Sequence, residues 1–381
     1  MCGAGYCAQC EIATPTGRVL ACQAPPDAHT GRRADPLRPL GRMAERVPPW
    51  FYERRFLRPR RLRRLPLHLL RHLSAAGHLG PAAPPSPVRR FSEIEVETAV
   101  VGRQDLHPGG FAVDLADGSL ALGVYPDRTL GVLRGDELLA VRFENLVIAT
   151  GSHLRLPPIA GNDLPGVIGI DGLERFGLAG GLAPGLRIAV WAAAEQAVAA
   201  ERLAARFGLE IVWMSDRAPR RLVGRRQVEA VDDGRRTACS LFVTGARQPA
   251  LELAMQGGAQ AALTSDGLPI VALADAPGWM RVVGGAARRS SGLPDVPAAD
   301  AAFACLCEDV RVGDIRACVA QGFRHPELVK RRTGAMTGPC QGKLCSALVL
   351  AAMRDLGVDV PPTRSRPLTR PVTLGELAAH A

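Results

Sequence analysis

The chain has 381 residues, 47% of them hydrophobic, and a formal net charge of +10. That is enough apolar material for two or three compact domains, and it argues against a disordered or fibrous chain. No charged start runs into an apolar stretch as in a secretory leader, and no apolar stretch is long enough to span a bilayer, so a cytoplasmic protein without a membrane span is expected.

The chain opens with "MCGAGYCAQCEIATPTGRVLACQAP", which spaces Cys2, Cys7, Cys10 and Cys22 as C-x4-C-x2-C-x11-C. In a reducing compartment, clustered cysteines point to metal or redox chemistry ahead of disulfides. The first three match the plant-type [2Fe-2S] run, in which a loop made flexible by glycines such as Gly3 and Gly5 turns its N–H groups toward the sulfurs. The segment resembles the small ferredoxin domain that opens sarcosine oxidase alpha subunits. That resemblance implies a [2Fe-2S] cluster on these four cysteines. Met1 directly precedes the first ligand, so the strands that precede it in the family's ferredoxin sheet are not in this sequence, and residues 1–24 read as a truncated ferredoxin segment.

Residues 25–90 form a connector rich in Pro and Arg. Its stretch "WFYERRFLRPRRLRRLPLHLLRHL" mixes aromatic and basic side chains, a pattern compatible with nucleic-acid contact or with a linker that keeps a solvated basic face. All but two of the 47 basic residues in the chain are arginine, the exceptions being Lys330 and Lys343. A bias that general reads as genome composition, and a nucleic-acid partner is not expected. Sarcosine oxidase alpha subunits carry a similar connector, containing Phe and Tyr, after their ferredoxin domain.

From residue 91 to 300 the pattern is α/β. "IEVETAVVG", "GFAVDLADG" and "TLGVLRGDELLAVRFENLVIATG" alternate as antiparallel strands with glycine-containing turns. "NLVIATGSHLRLPPIAGNDLPGV" resembles the strand-ATG-loop of two-dinucleotide-binding flavoproteins, which implies that Thr150 and Gly151 lie beside FAD, the glycine allowing close backbone approach. A βαβ unit follows: strand "LRIAVWA", an Ala-rich helix "AEQAVAAERLAARFG" stopped by Gly208, and strand "LEIVWMSD". This is the frame of a nicotinamide nucleotide site, with Asp216 near the place of the ribose-binding acid. Its turn "WAAAEQA" has no glycine and places Glu195 where phosphates would lie, so the fold is expected to persist with a lost or weakened nucleotide site. The glycine-rich strand–turn–helix that grips FAD in the family should precede residue 91. Only "GHLGPAAPPSPVRRFSE" stands there, too short for a βαβ unit. "CSLFVTGARQPALELAMQGGA" and "WMRVVGGAA" resemble later parts of the same flavoprotein domain, with Gly285 in place of the acid of a Gly-Asp pair.

Residues 301–360 return to cysteine. "FACLCEDVRVGDIRACVAQG" carries Cys305 and Cys307, and "TGPCQGKLCS" carries Cys340 and Cys345. Between the pairs, Ile315, Cys318 and Val319 repeat at helical spacing, Pro326 suits the first turn of a second helix, and Gly334 stops it. A third helix, "LCSALVLAAMRDLG", ends at Gly357. It puts Cys340 and Cys345 in the loop and first turn at a helix N-terminus, where partial positive charge favours thiolates. Four such thiolates suit zinc or an iron–sulfur cluster, although C-x-C with C-x4-C is an unusual zinc spacing. These motifs resemble the bacterioferritin-associated-ferredoxin type of [2Fe-2S] domain found in large subunits of heteromeric amine and opine oxidases. The resemblance implies that Cys305, Cys307, Cys340 and Cys345 are cluster ligands. The tail, residues 361–381, resembles the ending of opine oxidase and hydrogen cyanide synthase large subunits. Cys239 and Cys318 read as small buried hydrophobes. His107, His153 and His325 read as solvated loop residues, and no catalytic set stands out.

The expected fold is therefore multi-domain α/β: a reduced two-dinucleotide-binding (FAD/NAD(P)) core with an N-terminal ferredoxin-like segment and a C-terminal small helical [2Fe-2S] domain. The resemblance implies an iron–sulfur electron-transfer subunit of a heteromeric flavin-linked oxidase or dehydrogenase of sarcosine, proline or opine type. A separate flavoprotein subunit would oxidise the amine. The alternative is a scaffold, or a redox or zinc-binding regulator, that kept the fold and lost its nucleotides.

Overall fold

The computed structural model describes strands within residues 11–33, and residues 90–369 apart from 103–109, 115–117 and 136. Glu11–Ser86 and Pro87–Ala381 fall in two compact units. In the first, β1 (Glu11–Thr14) pairs antiparallel with β2 (Gly17–Leu20) and with β3 (Arg32–Arg33). Cys2, Cys7, Cys10, Cys22, His107 and the connector with Trp50, Phe51 and Tyr52 lie outside the described residues.

The second unit begins with two strands of thirteen residues, β4 (Arg90–Gly102) and β8 (Glu137–Ala149). They run parallel in continuous register from Arg90↔Glu137 to Gly102↔Ala149. Between them lie β5 (Phe111–Val113), β6 (Ser119–Val124) and β7 (Thr129–Arg134), and the sheet order is β5-β4-β8-β7-β6. The antiparallel reading holds for β6, β7 and β8 but not for β4 and β5, which pair in parallel. Alternation of exposed Glu93, Glu95 and Glu97 with half-buried Ile94 and Val96 marks a half-covered strand. It does not encode direction, and a parallel partner needs a crossover, which the stretch from β5 to β7 supplies. Where β4 lies between β5 and β8 it is buried on both faces, at Ala99, Val100 and Val101, as central parallel strands are. The far end of β8 pairs with β20 (Met280–Val282), also in parallel.

A second module repeats the plan. Its parallel sheet has the order β10-β16-β11-β12, built from β10 (Val167–Gly169), β11 (Arg187–Trp191), β12 (Glu210–Ser215) and β16 (Leu241–Thr244). Helix α1 (Ile170–Leu178) follows β10, and α2 (Ala194–Phe207) joins β11 to β12. The βαβ unit read from sequence is therefore present. Its alanines favour helix, and Gly208 ends it in the left-handed region at φ 66°. An antiparallel meander, β13 (Arg221–Val223), β14 (Ala230–Asp232) and β15 (Arg236–Ala238), completes the module. The modules are joined through β9 (Ser152–Leu154), which pairs with β17 (Arg247–Pro249). Helix α3 (Glu252–Gln256) and the pair β18 (Gln260–Leu263) and β19 (Val271–Asp275) lead back to the first sheet.

The C-terminal part is a small hairpin, β21 (Phe303–Cys305) with β22 (Val310–Arg311), followed by α4 (Val312–Ala320), α5 (Pro326–Thr333) and α6 (Ser346–Arg354). Pro326 opens α5 and Gly334 caps it at φ 83°, as their chemistry dictates. The last helix stops three residues short of Gly357, with Asp355 as its cap. Every residue of α6 from Ala347 to Met353 is buried. Leu348, Val349, Ala352 and Met353 pack in the thiol-bearing core, while Ala347 and Leu350 pack in the core beneath the first sheet. A helix that is apolar all round is a buried one, and α6 fastens the two cores together. Each large side chain so buried contributes about 1.5–3 kcal/mol. Among the described residues no helix is long and apolar enough to cross a membrane.

Candidate functional site

Four thiols converge between the hairpin and α6. Cys305 ends β21, Cys307 lies in the turn to β22, Cys340 lies in the loop before α6, and Cys345 is the N-cap of that helix. Cys305, Cys340 and Cys345 are buried, and Cys307 is partly so. Their side chains interact as a closed ring, Cys305 with Cys307 and Cys345, and Cys340 with the same two. Sharing of protons around this ring draws Cys305 and Cys340 below the ordinary thiol value and pushes Cys307 and Cys345 above it.

Backbone amides complete the cradle. The backbone amides of Met336 and Glu308 lower Cys305, those of Leu344 and Gly342 lower Cys340, and that of Cys340 acts in the same sense on Cys307. Aiming them requires left-handed backbone at Asp309 (φ 52°), Met336 (φ 67°), Gln341 (φ 52°) and Gly342 (φ 86°). For the three non-glycine residues that conformation is strained and is held by the surrounding packing. Gly338 is pressed against the ring: a Cβ there would lie 2.3 Å from the Cys307 Cβ. The wall around the thiols is apolar, including Val312, Ile315, Leu344 and Leu348. Among the described residues no group of three or more His, Cys, Asp or Glu side chains is spaced to hold a metal ion as the side chains stand. The other two cysteines among the described residues, Cys239 and Cys318, are buried, and burial raises both, Cys239 to about 11.

Beside the ring lies a polar network that sequence reasoning missed. His153 is 7% exposed, and its Nε2 lies 3.1 and 3.0 Å from the two carboxylate oxygens of Glu252. His153 is therefore not a solvated loop residue: it sits in β9, where pairing with β17 turns it inward against α3. By contrast, His325 is exposed and accepts the Glu327 amide as the N-cap of α5. Burial alone would raise Glu252. The charge and hydrogen bond of His153, with the Lys343 charge, more than offset this and hold the carboxyl below its ordinary value. The buried Lys343 donates to Gln341 Oε1 at 3.1 Å and to the Thr369 carbonyl, and its own carbonyl accepts from Gln248 Nε2.

A cavity of about 390 Å³ opens between Glu252, Lys343, Gly342, α5 and the segment 362–368. Both lysines of the chain, Lys330 and Lys343, line it. The segment is pinned as a strap: Thr369 donates its amide to Leu122 at 2.8 Å and its hydroxyl to Ala121 at 2.9 Å, and Gln341 donates to Leu368 at 3.0 Å. Two lysines in so arginine-rich a chain were the available signal. Glu252 and His153, far apart in sequence, offered none.

The nucleotide positions look different from their sequence reading. Thr150 spends its hydroxyl on the Ala250 carbonyl at 2.8 Å. Gly151 has φ 75°, a conformation that favours glycine, and a Cβ there would meet no protein atom within 4 Å. Gly285 does approach closely, and a Cβ on it would lie 3.1 Å from the Gly151 carbonyl carbon. Asp216 is exposed, with its carbonyl accepting the Trp191 indole N–H at 3.0 Å.

A mixed-sheet module, a parallel-sheet module and an appended ring of thiols define the class: an α/β fold carrying a cysteine-rich helical segment. Comparison with known proteins narrows it. Residues 299–381 match the sarcosine oxidase A3 domain. The chain is 38% identical over 84 residues to the A-subunit of opine oxidase from Rhizobium meliloti (strain 1021), covering 21% of this chain and 18% of that one. It is 25% identical over 305 residues to the sarcosine oxidase alpha subunit of the same organism, 61% of this chain and 31% of that one. The resemblance to oxidase large subunits read from the sequence is thus borne out, with the matches spanning less than a third of either relative's length. The fold resembles that of L-proline dehydrogenase from P. horikoshii, with a TM-score of 0.62 at 16% identity, over 76% of this chain and 80% of that one.

Proposed function

We propose that the chain is an iron–sulfur electron-transfer subunit of a heteromeric, flavin-linked amine or opine oxidase or dehydrogenase, with a [2Fe-2S] cluster on Cys305, Cys307, Cys340 and Cys345. The observation that carries this reading is the ring of four thiols, with backbone amides acting on three of its sulfurs. Such a donor set fits an anionic cluster: four soft ligands, N–H groups to offset its charge, a helix N-terminus at Cys345, and an apolar wall that excludes water. When bound, a [2Fe-2S] cluster takes up and passes on one electron at a time. The chain's part is to give up the protons shared in the thiol ring, which makes loading pH-dependent, and to bring the four sulfurs into the ligating arrangement.

The fit to FAD is poor. The Thr150 hydroxyl is turned to the protein, and no glycine-rich turn for a pyrophosphate stands among the described residues. No step is therefore drawn through FAD on this chain, and amine oxidation is assigned to a partner subunit. The N-terminal cysteines would carry a second [2Fe-2S] cluster in the same reading.

Anaerobic purification with iron and acid-labile sulfide analysis tests the proposal. The expected result is stoichiometric iron and sulfide and a rhombic paramagnetic signal on reduction. In C340S the C-terminal contribution should be lost, because a hydroxyl is a poor iron ligand at neutral pH. Zinc in place of iron would support the regulatory alternative, since four thiols also suit zinc. Full iron and an unchanged spectrum in C340S would overturn the ligand assignment.

A further inference from the structure

A second cavity, about 120 Å³, lies where the loop after β9, the segment 295–298 and α6 meet, with Arg155, Asp295, Arg354 and Asp355 as its charged lining. Arg155 is only 1% exposed. Its Nε donates to the Pro269 carbonyl at 3.0 Å and its Nη1 to that of Leu156, while Nη2 has no hydrogen-bond partner among the described residues. The carboxylates do not neutralise it. Asp295 is exposed and accepts the Val296 amide at 2.8 Å, and Asp355 pairs with Arg316 at 3.1 Å. Arg354 gives Nη1 to the Thr264 carbonyl at 2.6 Å and likewise forms no ion pair among the described residues.

Two guanidinium groups thus line one small cavity without an ion pair to either, although Asp295 and Asp355 line it too. Burial pulls Arg155 down to about 9, with Asp295 opposing and the Arg354 charge adding to the fall. A buried charge that is only partly compensated is costly, and a planar fork of N–H donors matches the paired oxygens of a carboxylate or phosphate. At about 30 Å³ per water the space takes about four waters or one tetrahedral oxyanion with room to spare. Water would satisfy the donors but leave the like charges facing each other.

We propose that this cavity binds a small oxyanion, a phosphate, sulfate or carboxylate group, held between Arg155 of the core and Arg354 of α6. Such an anion ties the helix that carries Cys345 at its N-cap to the dinucleotide-type core. The site is independent of what the thiols hold.

Thermal unfolding of the full chain in phosphate, sulfate or acetate, with ionic strength held constant by chloride, tests this. The expected result is a saturable rise in Tm with phosphate or sulfate, and one site per chain by calorimetric titration with inorganic phosphate. A matching rise with acetate identifies the occupant class as carboxylate. Arg354→Gln should raise the half-saturating concentration about tenfold or more, the loss of one charge-assisted contact. Should that variant not fold, Arg354→Lys, which keeps the charge and loses the fork, takes its place, and the wild-type titration decides on its own. A Tm that follows ionic strength alone, with no heat of phosphate binding, means the cavity holds only water and overturns the proposal. Unchanged half-saturation in the Arg354 variant overturns the placement.

Discussion

Gly338→Ala is the sharpest probe of the thiol ring. The added methyl would sit 2.3 Å from the Cys307 Cβ, 2.9 Å from Glu308 Oε1 and 3.3 Å from the Cys307 sulfur. Carbon atoms rest at about 3.5–4.0 Å, so one side must retreat by more than about 1 Å. The carboxylate tip of Glu308 can swing aside, but the Cys307 Cβ cannot: it is one bond from a backbone fixed between β21 and β22. On the other side, Gly338 accepts the Gln341 amide at 2.8 Å and so holds the loop that carries Cys340. Overpacking of this kind costs about 1–3 kcal/mol, which lowers Tm by about 2–10 °C in a unit of this size. The control is Gly278→Ala, where a Cβ would meet nothing within 4 Å and no destabilisation is expected. The assay is thermal unfolding of both variants, with iron per chain measured after anaerobic reconstitution. A Gly338→Ala protein that melts with wild type and reconstitutes fully would refute the close packing of Gly338 on the ring.

Other outcomes follow from the same geometry. His153→Ala leaves Glu252 buried without its main partner and should cost about 1–3 kcal/mol in denaturant unfolding near neutral pH; equal midpoints would mean the pair is incidental. Because Glu252 is held below its ordinary value of 4.5, its stabilisation is present above that value and lost as pH falls through the folded pKa, so the gap between wild type and Glu252→Gln should close under acid. A gap independent of pH would contradict the pairing. Ending the chain at Val360 removes the strap over the cavity and with it the bonds of Thr369 to Ala121 and Leu122, so Tm should fall; an unchanged Tm would show that the strap does not hold the cavity wall. Millimolar NAD or NADP should leave Tm unchanged, and the chain expressed alone should not copurify with stoichiometric FAD. Either nucleotide bound at one per chain would expose a grip that sequence and structure both conceal.

What the sequence made legible was local. The βαβ unit showed in its periodicity and in Gly208, and the thiol segment in four cysteines at two characteristic spacings with Pro326 and Gly334 marking the helix between them. Strand direction was hidden, because the alternation in β4 is the same for either orientation. His153 and Glu252 meet only through the pairing of β9 with β17, a long-range event that neither residue's neighbours announce. Gly151 was legible as a glycine of the motif, but its positive φ was not. A glycine in a motif suggests crowding or a positive φ, and only coordinates separate the two. Lys330 and Lys343 were visible as the two lysines among 47 basic residues, but composition alone could not say that both face one cavity.

The turn after β11 shows why a missing motif and a missing fold are different things. Glycines in a nucleotide-binding turn let backbone approach a pyrophosphate. Here the turn is alanine, and the glycine stands opposite it: a Cβ on Gly245, in the loop after β16, would lie 2.8 Å from the Cβ atoms of both Ala192 and Gln196. The close approach is therefore made by protein to protein, and Ala192 is left 3% exposed. Around it, Trp191 is fully buried and reaches across to the Asp216 carbonyl at the end of β12, and the exposed Glu195 pairs with Arg288 at 3.3 Å. Those contacts satisfy the turn without a ligand. The parallel sheet and α2 then need no nucleotide to be stable, because their cores, built on Ile188, Val190, Ala200 and Val243 and on Trp191 and Phe242, are complete in themselves. A module of this kind serves as a platform, holding β17 against β9 and so His153 against Glu252 beside the thiol ring.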